Sequence, residues 1–321
     1  LSGVIDSIKI FFFLIKNKSK INEAIKFLKI SLLFKFFLFL ELYMQILRAV
    51  SLKRFLKAQI ETTLVGADFS RGYETAVLFS AAKSQNIESF ELQHGSFNYP
   101  NIYNINADEI WVWGEISKKQ LIQSGIISSD RIFLTGSPIV QNINSSKFEK
   151  KNLKVKKNKN VILALSVPIK KDEVKLVKFF SNIKKKFESQ NFNFLVKTHP
   201  ARKIKNYQWV RKYNFDLLPR DISFKKLIDT LDILLTHTSD LAGEAFYFNK
   251  KVGILDILDT HPYCNLELHK YLNLPLITKP DDFKKIKNTN ISTQKNLLYY
   301  KIGIKAKNEI QKRIKKKLKV L

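Results

Sequence analysis

The sequence predicts an α/β chain with two successive parallel-sheet domains. Three observations predict it. Short continuous apolar runs alternate with helix-length stretches, a lysine-rich segment interrupts the alternation, and the alternation then resumes. Apolar strands separated by helices are the pattern of βαβ units, whose sheets are covered on both faces. The chain has 321 residues, 45% of them hydrophobic, which excludes a disordered chain and exceeds what one core usually organises.

Residues 1–60 read as an amphipathic helical N-terminal segment packed on the first domain. Residues 1–57 carry 11 Lys/Arg against 3 acids, and residues 1–50 hold 8 of the 25 Phe. Apolar runs at Ile10–Ile15 and Phe36–Leu40 are cut by Lys16, Lys35, Glu41 and Arg48. No run therefore reaches the roughly 18–20 apolar residues that span a bilayer. Nor is there a hydrophobic region followed by a small-residue cleavage site. A pair of amphipathic helices packed on a core is expected, with helices lying in a membrane interface as the alternative. The chain begins at Leu1 rather than Met, and further N-terminal sequence is expected.

Residues 61–145 read as the first α/β domain. Its strands are expected at Thr62–Ala67, Ser89–Gln93, Glu109–Val112 and Arg131–Thr135, with helices at Gly72–Lys83 and Ser117–Ser124. Residues 146–160 hold seven Lys and few apolar residues, a solvated linker. Residues 161–290 read as the second domain. Strands are expected at Val161–Leu165, Phe192–Lys197, Asp232–Leu235 and Val252–Leu255, with helices at Asp172–Phe187, Phe224–Thr230 and Leu241–Phe248. Val174, Val177, Phe180, Ile183 and Phe187 mark the buried face of the first of these helices. Residues 291–321 read as one long basic helix, with nine Lys/Arg beyond residue 300 and an apolar stripe at Ile310, Ile314, Leu318 and Leu321.

Composition excludes several classes. One Cys, Cys264, allows no internal disulfide and no multi-cysteine zinc site, and neither HExxH nor CxxC occurs. No metal or cofactor is expected. The net charge of +28 suits phosphate polymers and anionic surfaces. AT-rich codon usage gives the same Lys, Asn, Ile and Phe richness, and no nucleic-acid-binding signature accompanies the charge, so no specific nucleic-acid partner is expected.

Ligands of open α/β sheets bind beyond the carboxyl ends of the strands. Three of the five His fall there: His94, His199 and His237. His261 and His269 lie in a loop-rich stretch. Gln93-His94-Gly95 brings an imidazole to a strand tip, where Gly95 allows close approach. The uncharged stretch Ser96–Ala107, with Tyr99 and Tyr103, reads as an acceptor loop. Lys197-Thr198-His199-Pro200 groups a cation, a hydroxyl and an imidazole. His237-Thr238-Ser239 precedes a helix whose start attracts anions, and Glu244 lies further along that helix.

Gln-His-Gly, then Lys-Thr-His-Pro, then His-Thr-Ser-Asp-Leu-Ala-Gly-Glu-Ala-Phe ahead of Lys-Lys-Val-Gly-Ile resembles bacterial GT-B glycosyltransferases that build surface polysaccharides. The look is nearest to the capsule-polysaccharide, sialyl- and Kdo-transferase type, with kinship to CDP-glycerol glycerophosphotransferases. The resemblance covers Thr62 to Asp256, roughly 60% of the chain. It implies the GT-B fold: two Rossmann-like domains facing a central cleft, here with a helical N-terminal segment and a C-terminal helix. It implies a nucleotide-sugar donor, best a CMP-activated Kdo or sialic-type sugar, held by the second domain. Lys197, His199, Pro200, His237, Thr238 and Ser239 would hold the phosphate, with Ser166 a further contact and Glu244 on the ribose. Gly136-Ser137-Pro138 would lie near the cleft. A glycan or lipid-linked acceptor would sit on the first domain, with Gln93, Gly95, Tyr99 and Tyr103 around it.

The family's acidic motif is replaced here by Gln93-His94-Gly95. That makes His94 the expected base of a metal-independent inverting displacement, with Asp68, Glu74 or Glu91 orienting or replacing it. CDP-alditol or UDP-sugar transfer and nucleotide-sugar epimerisation are the alternatives, and a basic nucleic-acid-binding protein is the outside one. A peripheral position at the inner face of the cytoplasmic membrane is expected from the basic ends of the chain.

Overall fold

The computed structural model describes residue 16 and residues 32–58, 64–68, 73–95, 106–140, 158–166, 169–199, 202–258, 266–287 and 295–320. Of the expected linker at 146–160, residues 146–157 lie outside them and Lys159 and Asn160 already belong to a strand; Pro200, Tyr99, Tyr103, Cys264 and His261 also lie outside.

A long helix α1 (Leu32–Ala58) leads into a four-stranded sheet. Its strands β1 (Leu64–Asp68), β2 (Glu88–Leu92), β3 (Glu109–Val112) and β4 (Ile132–Leu134) stand in chain order, all parallel. Helix α2 (Tyr73–Lys83) joins β1 to β2, and α3 (Glu115–Ser124) joins β3 to β4. Helix α1 packs through Leu52 and Leu56 beside Phe79, but Phe37, Leu40, Met44 and Phe55 stay exposed. Of the expected N-terminal helix pair, α1 packs on α2, and residues 1–31 apart from Lys16 lie outside the described residues.

The second sheet holds β5 (Lys159–Ala164), β6 (Phe192–Lys197), β7 (Asp216–Leu217), β8 (Ile233–Thr236), β9 (Lys251–Leu255) and β10 (Leu276–Ile277). They are all parallel, in the order β10-β9-β8-β5-β6-β7. The chain winds outward from β5 to β7 and then returns to β8, so the winding direction reverses between β5 and β8. Helices α4 (Lys170–Lys186), α5 (Phe224–Thr230), α6 (Leu241–Tyr247), α7 (Leu266–Leu272) and α8 (Phe283–Lys287) cover the faces. On α4 the fully buried residues are Leu176, Val177, Phe180 and Ile183, while Val174 is only half-buried. The buried stripe thus runs through Leu176 rather than Val174. Phe180 stacks on Phe215 with ring centres 4.8 Å apart, anchoring α4 to the sheet.

The single C-terminal helix expected from the sequence is broken. Helix α9 (Lys295–Leu298) stops, Tyr299–Ile302 crosses back to the first sheet, and α10 (Gly303–Val320) follows. The backbone groups of the crossing segment bond outside any helix. The Tyr300 amide donates to the Trp113 carbonyl (2.8 Å), the Ser137 amide to that of Lys301 (2.9 Å), and the Gly303 amide to that of Ser137 (2.9 Å). Ser137, expected near the cleft, is instead buried as the anchor of this strap.

Helix α10 then packs on the first sheet through Ile310 and Ile314 against stacked Phe90 and Trp111. Arg313 and Lys317 pair with Glu109 at 3.1 and 2.8 Å. Burial raises the Glu109 pKa, but hydrogen bonds from Lys317, Trp111 and Arg313 outweigh it and hold the carboxyl below its ordinary value. Of the expected stripe, Leu318 is exposed and Leu321 lies outside the described residues.

Candidate functional site

The site is built at the reversal between β5 and β8, where the loops leaving two adjacent strands diverge and open a crevice. Ala164 at the end of β5 is in register with both Lys197 on β6 and Thr236 on β8, so three strands end at one level. Ser166, two residues beyond β5, and Thr238, two beyond β8, meet across the crevice with their hydroxyl oxygens 2.7 Å apart. These two predicted residues are 72 positions apart in sequence and are brought together by the strand order alone.

Around them, Ser239 donates its amide to the Thr236 hydroxyl (3.1 Å) and accepts the Leu241 amide on its own hydroxyl (3.3 Å). His199 is exposed at the tip of β6. Partial burial, then Arg202 and Lys197, push its pKa down against the opposing pull of Asp240, so the ring is neutral at pH 7. Lys197 is buried, with its ammonium on the Thr198 carbonyl (2.9 Å). Burial and then Arg220 lower its pKa.

His237 is buried, with Nδ1 2.7 Å from the Leu255 carbonyl oxygen, a bond that ties β8 to β9. Gln93 is corrected. Its side chain is buried, donating to the Gly95 carbonyl (2.8 Å) and accepting the Trp113 amide (2.7 Å). Both ends shape the turn, so Gln93 holds the strand tip in place and does not face an acceptor.

Gly95 brings the two halves together. A Cβ built there would lie 2.9 Å from the Asp240 carboxylate oxygen. His94, next to it, is exposed. Asp68 ends β1 opposite Leu92, and Glu74 lies in the first turn of α2. Their backbones thus stand at the same end of the first sheet as His94.

Glu244 is half-buried on α6, not a fully solvated helix residue. Burial first, then Asp240, raises its pKa to about 7. Tyr299 from the crossing strap feels both Asp240 and Glu244, and burial holds its hydroxyl protonated. The chain's end therefore closes the site from below.

Sequence reasoning missed Asp240, whose only signal was its place ahead of α6. It also missed the Glu173, Arg202 and Tyr207 cluster. Glu173 accepts from Arg202 Nη1 (2.9 Å) and from the Tyr207 hydroxyl (3.0 Å), and Arg202 Nη1 also reaches that hydroxyl (2.9 Å). Glu173 is buried in the first turn of α4, so this network ties the loop after β6 to α4 and fixes the approach of His199. Among the described residues no three His, Cys, Asp or Glu side chains converge to hold a metal ion.

No family model and no curated protein sequence matches the chain. Solved structures do. UDP-GlcNAc 2-epimerase from Neisseria meningitidis, bound to UDP-GlcNAc, is similar at TM-score 0.56 and 16% identity, over 85% of this chain and 81% of that one. The Methanocaldococcus jannaschii enzyme of the same name, in complex with UDP-GlcNAc and UDP, gives TM-score 0.56 and 14% identity over 85% and 81%. A UDP-forming α,α-trehalose-phosphate synthase from Burkholderia xenovorans gives TM-score 0.51 and 10% identity over 87% and 76%. These proteins share the glycosyltransferase-B architecture, and this chain has that fold. At such identities the likeness shows the fold and gives no residue a role. It lends nothing to the Kdo- and sialyltransferase type in particular.

Proposed function

We propose that the chain binds a nucleoside-diphosphate sugar in the crevice between β5 and β8 and acts on the sugar there. The observation that carries this is the Ser166–Thr238 hydroxyl pair spanning the reversal point, with neutral His199 and half-buried Glu244 on the neighbouring elements. The pair and Ser239 supply donors for phosphate oxygens. Glu244 is placed to accept ribose hydroxyls once ionised.

Epimerisation of a UDP-activated sugar is the preferred reaction, ahead of transfer from a CMP-activated Kdo or sialic-type sugar. It is supported by the two epimerase structures described with UDP-GlcNAc. Inverting a carbon that bears hydrogen, without redox chemistry, needs a base on one face and an acid on the other. His94 and Asp240, with His199 and Glu244 beside them, supply such groups from both halves of the cleft. Transfer from a UDP-sugar to a glycan or lipid-linked hydroxyl is the second reading. It is favoured by exposed His94 at the tip of β2.

One incubation separates them. With UDP-GlcNAc in D2O, epimerisation takes the proton from the inverted carbon and returns a deuteron. Proton NMR is expected to show a new sugar stereoisomer carrying one deuterium, with no acceptor present. Transfer predicts UDP release only with an acceptor and no carbon-bound deuterium. Neither change, with or without acceptor, would overturn the nucleotide-sugar reading.

A further inference from the structure

Helix α1 carries large apolar side chains that are exposed among the described residues. Phe37, Leu40, Met44 and Phe55 recur at helical spacing with Arg48 and Ser51, so all six lie on one stripe. All six are exposed, Phe37 at 54% and Phe55 at 59% of their full surface. The stripe extends for about 27 Å along the helix axis. It borders a groove of about 520 Å³ between α1 and α2, lined by Met44, Leu47, Arg48, Leu52, Phe55 and Val77. Exposed apolar stripes of this extent mark contact sites.

The charge on the same helix identifies the occupant. Leu32–Ala58 contains five basic residues, Lys35, Arg48, Lys53, Arg54 and Lys57, and one acid, Glu41. Arg48 sits inside the apolar stripe, and Lys53, Arg54 and Lys57 are exposed around its C-terminal end. Large apolar groups inserted between long cationic side chains match an acyl boundary under anionic headgroups. Among the described residues no helix is long and apolar enough to cross a membrane, so the contact is a surface one.

We propose that the exposed face of α1 and its groove dock flat on an anionic lipid bilayer, with Phe37, Leu40, Met44 and Phe55 in the acyl boundary and Arg48, Lys53, Arg54 and Lys57 at the headgroups. This surface is separate from the crevice and stands whether or not the nucleotide reading holds.

Flotation of the full chain tests it, using vesicles of phosphatidylcholine alone or with 40% phosphatidylglycerol. Binding to the anionic vesicles is expected to exceed binding to the neutral ones by about tenfold and to weaken in 0.5 M salt. Leu40→Ser with Phe55→Ser is expected to lower anionic binding by about tenfold while leaving the melting temperature close to that of the parent, since both side chains are exposed. Unchanged vesicle binding by that double variant would overturn the proposal and shift the contact to the exposed lysines of α10, such as Lys305, Lys312 and Lys316. So would absence of binding to anionic vesicles. A dimer in solution that the double variant dissolves, without vesicle binding, would overturn it in favour of a second copy of the chain.

Discussion

Glu244→Gln is expected to make the chain more stable at pH 8 and to weaken the proposed nucleotide binding by about tenfold. Glu244 is half-buried, and its pKa is raised to about 7 by desolvation and by Asp240. Between the ordinary carboxyl value near 4.5 and this raised value, the folded chain holds a proton that the unfolded chain has released. Stability supplied by the neutral carboxyl is therefore complete below about pH 4.5 and is lost progressively as pH rises to about 7. Above that, the folded state carries a half-buried anion. Gln has the same shape and no charge, so the variant's advantage grows from near zero at pH 4.5 to about 3 kcal/mol at pH 8. Denaturant melts of both proteins across that range measure it. A wild-type chain more stable than the variant at pH 8 would mean that Glu244 is held as a paired anion. The binding loss follows because Gln accepts a ribose hydroxyl as a neutral amide, without the charge that strengthens the bond.

Gly136→Ala is expected to cost about 3 kcal/mol, lowering the melting temperature by roughly 6–12 °C. Gly136 has φ +85°, and a Cβ there would lie 2.2 Å from the Lys301 carbonyl oxygen of the crossing strap. That atom is backbone, so the strap itself must move. Gly125 is the internal control. It also has positive φ, at +69°, but a Cβ there meets nothing within 4 Å. Gly125→Ala should therefore carry only the conformational cost, about 1 kcal/mol. Equal losses in the two variants would show that the strap adds nothing at Gly136. The position matters for function because the strap delivers Tyr299 beneath Glu244.

The strands of both sheets were legible because each is a short apolar run between breakers. Glu109–Val112 and Phe192–Lys197 have the boundaries read from the sequence, and most others moved by one or two residues. The two-residue strands β7 and β10 carry too little pattern to be seen, as does the 3₁₀ segment Ile204–Tyr213. The break at Tyr299–Ile302 was hidden for another reason. The helical pattern on its C-terminal side was read through it, whereas backbone bonds to Trp113 and Ser137, more than 160 positions away, hold it extended.

In the site, the strand-end residues Ser166, His199, Thr238 and Ser239 were legible because a topological rule places them. Gln93 misled because a polar residue at a strand tip can turn inward as readily as outward, and only the hydrogen-bond partner decides. The pairing of Glu173 with Arg202 and Tyr207 depends on how α4 docks, which no spacing in the sequence records.

The central claim is that the crevice between β5 and β8 binds a nucleoside diphosphate. A thermal-shift panel of UDP, UDP-GlcNAc, CDP, CMP and GDP, run on the wild-type chain and on His199→Ala and Thr238→Val, tests it most directly. A ligand at 100 times its Kd adds about 2.7 kcal/mol, a shift of several degrees. The account predicts such a shift with UDP and UDP-GlcNAc, a smaller one with CMP, and loss of the shift in both variants. No shift with any nucleotide, or a UDP shift that survives in both variants, would contradict it.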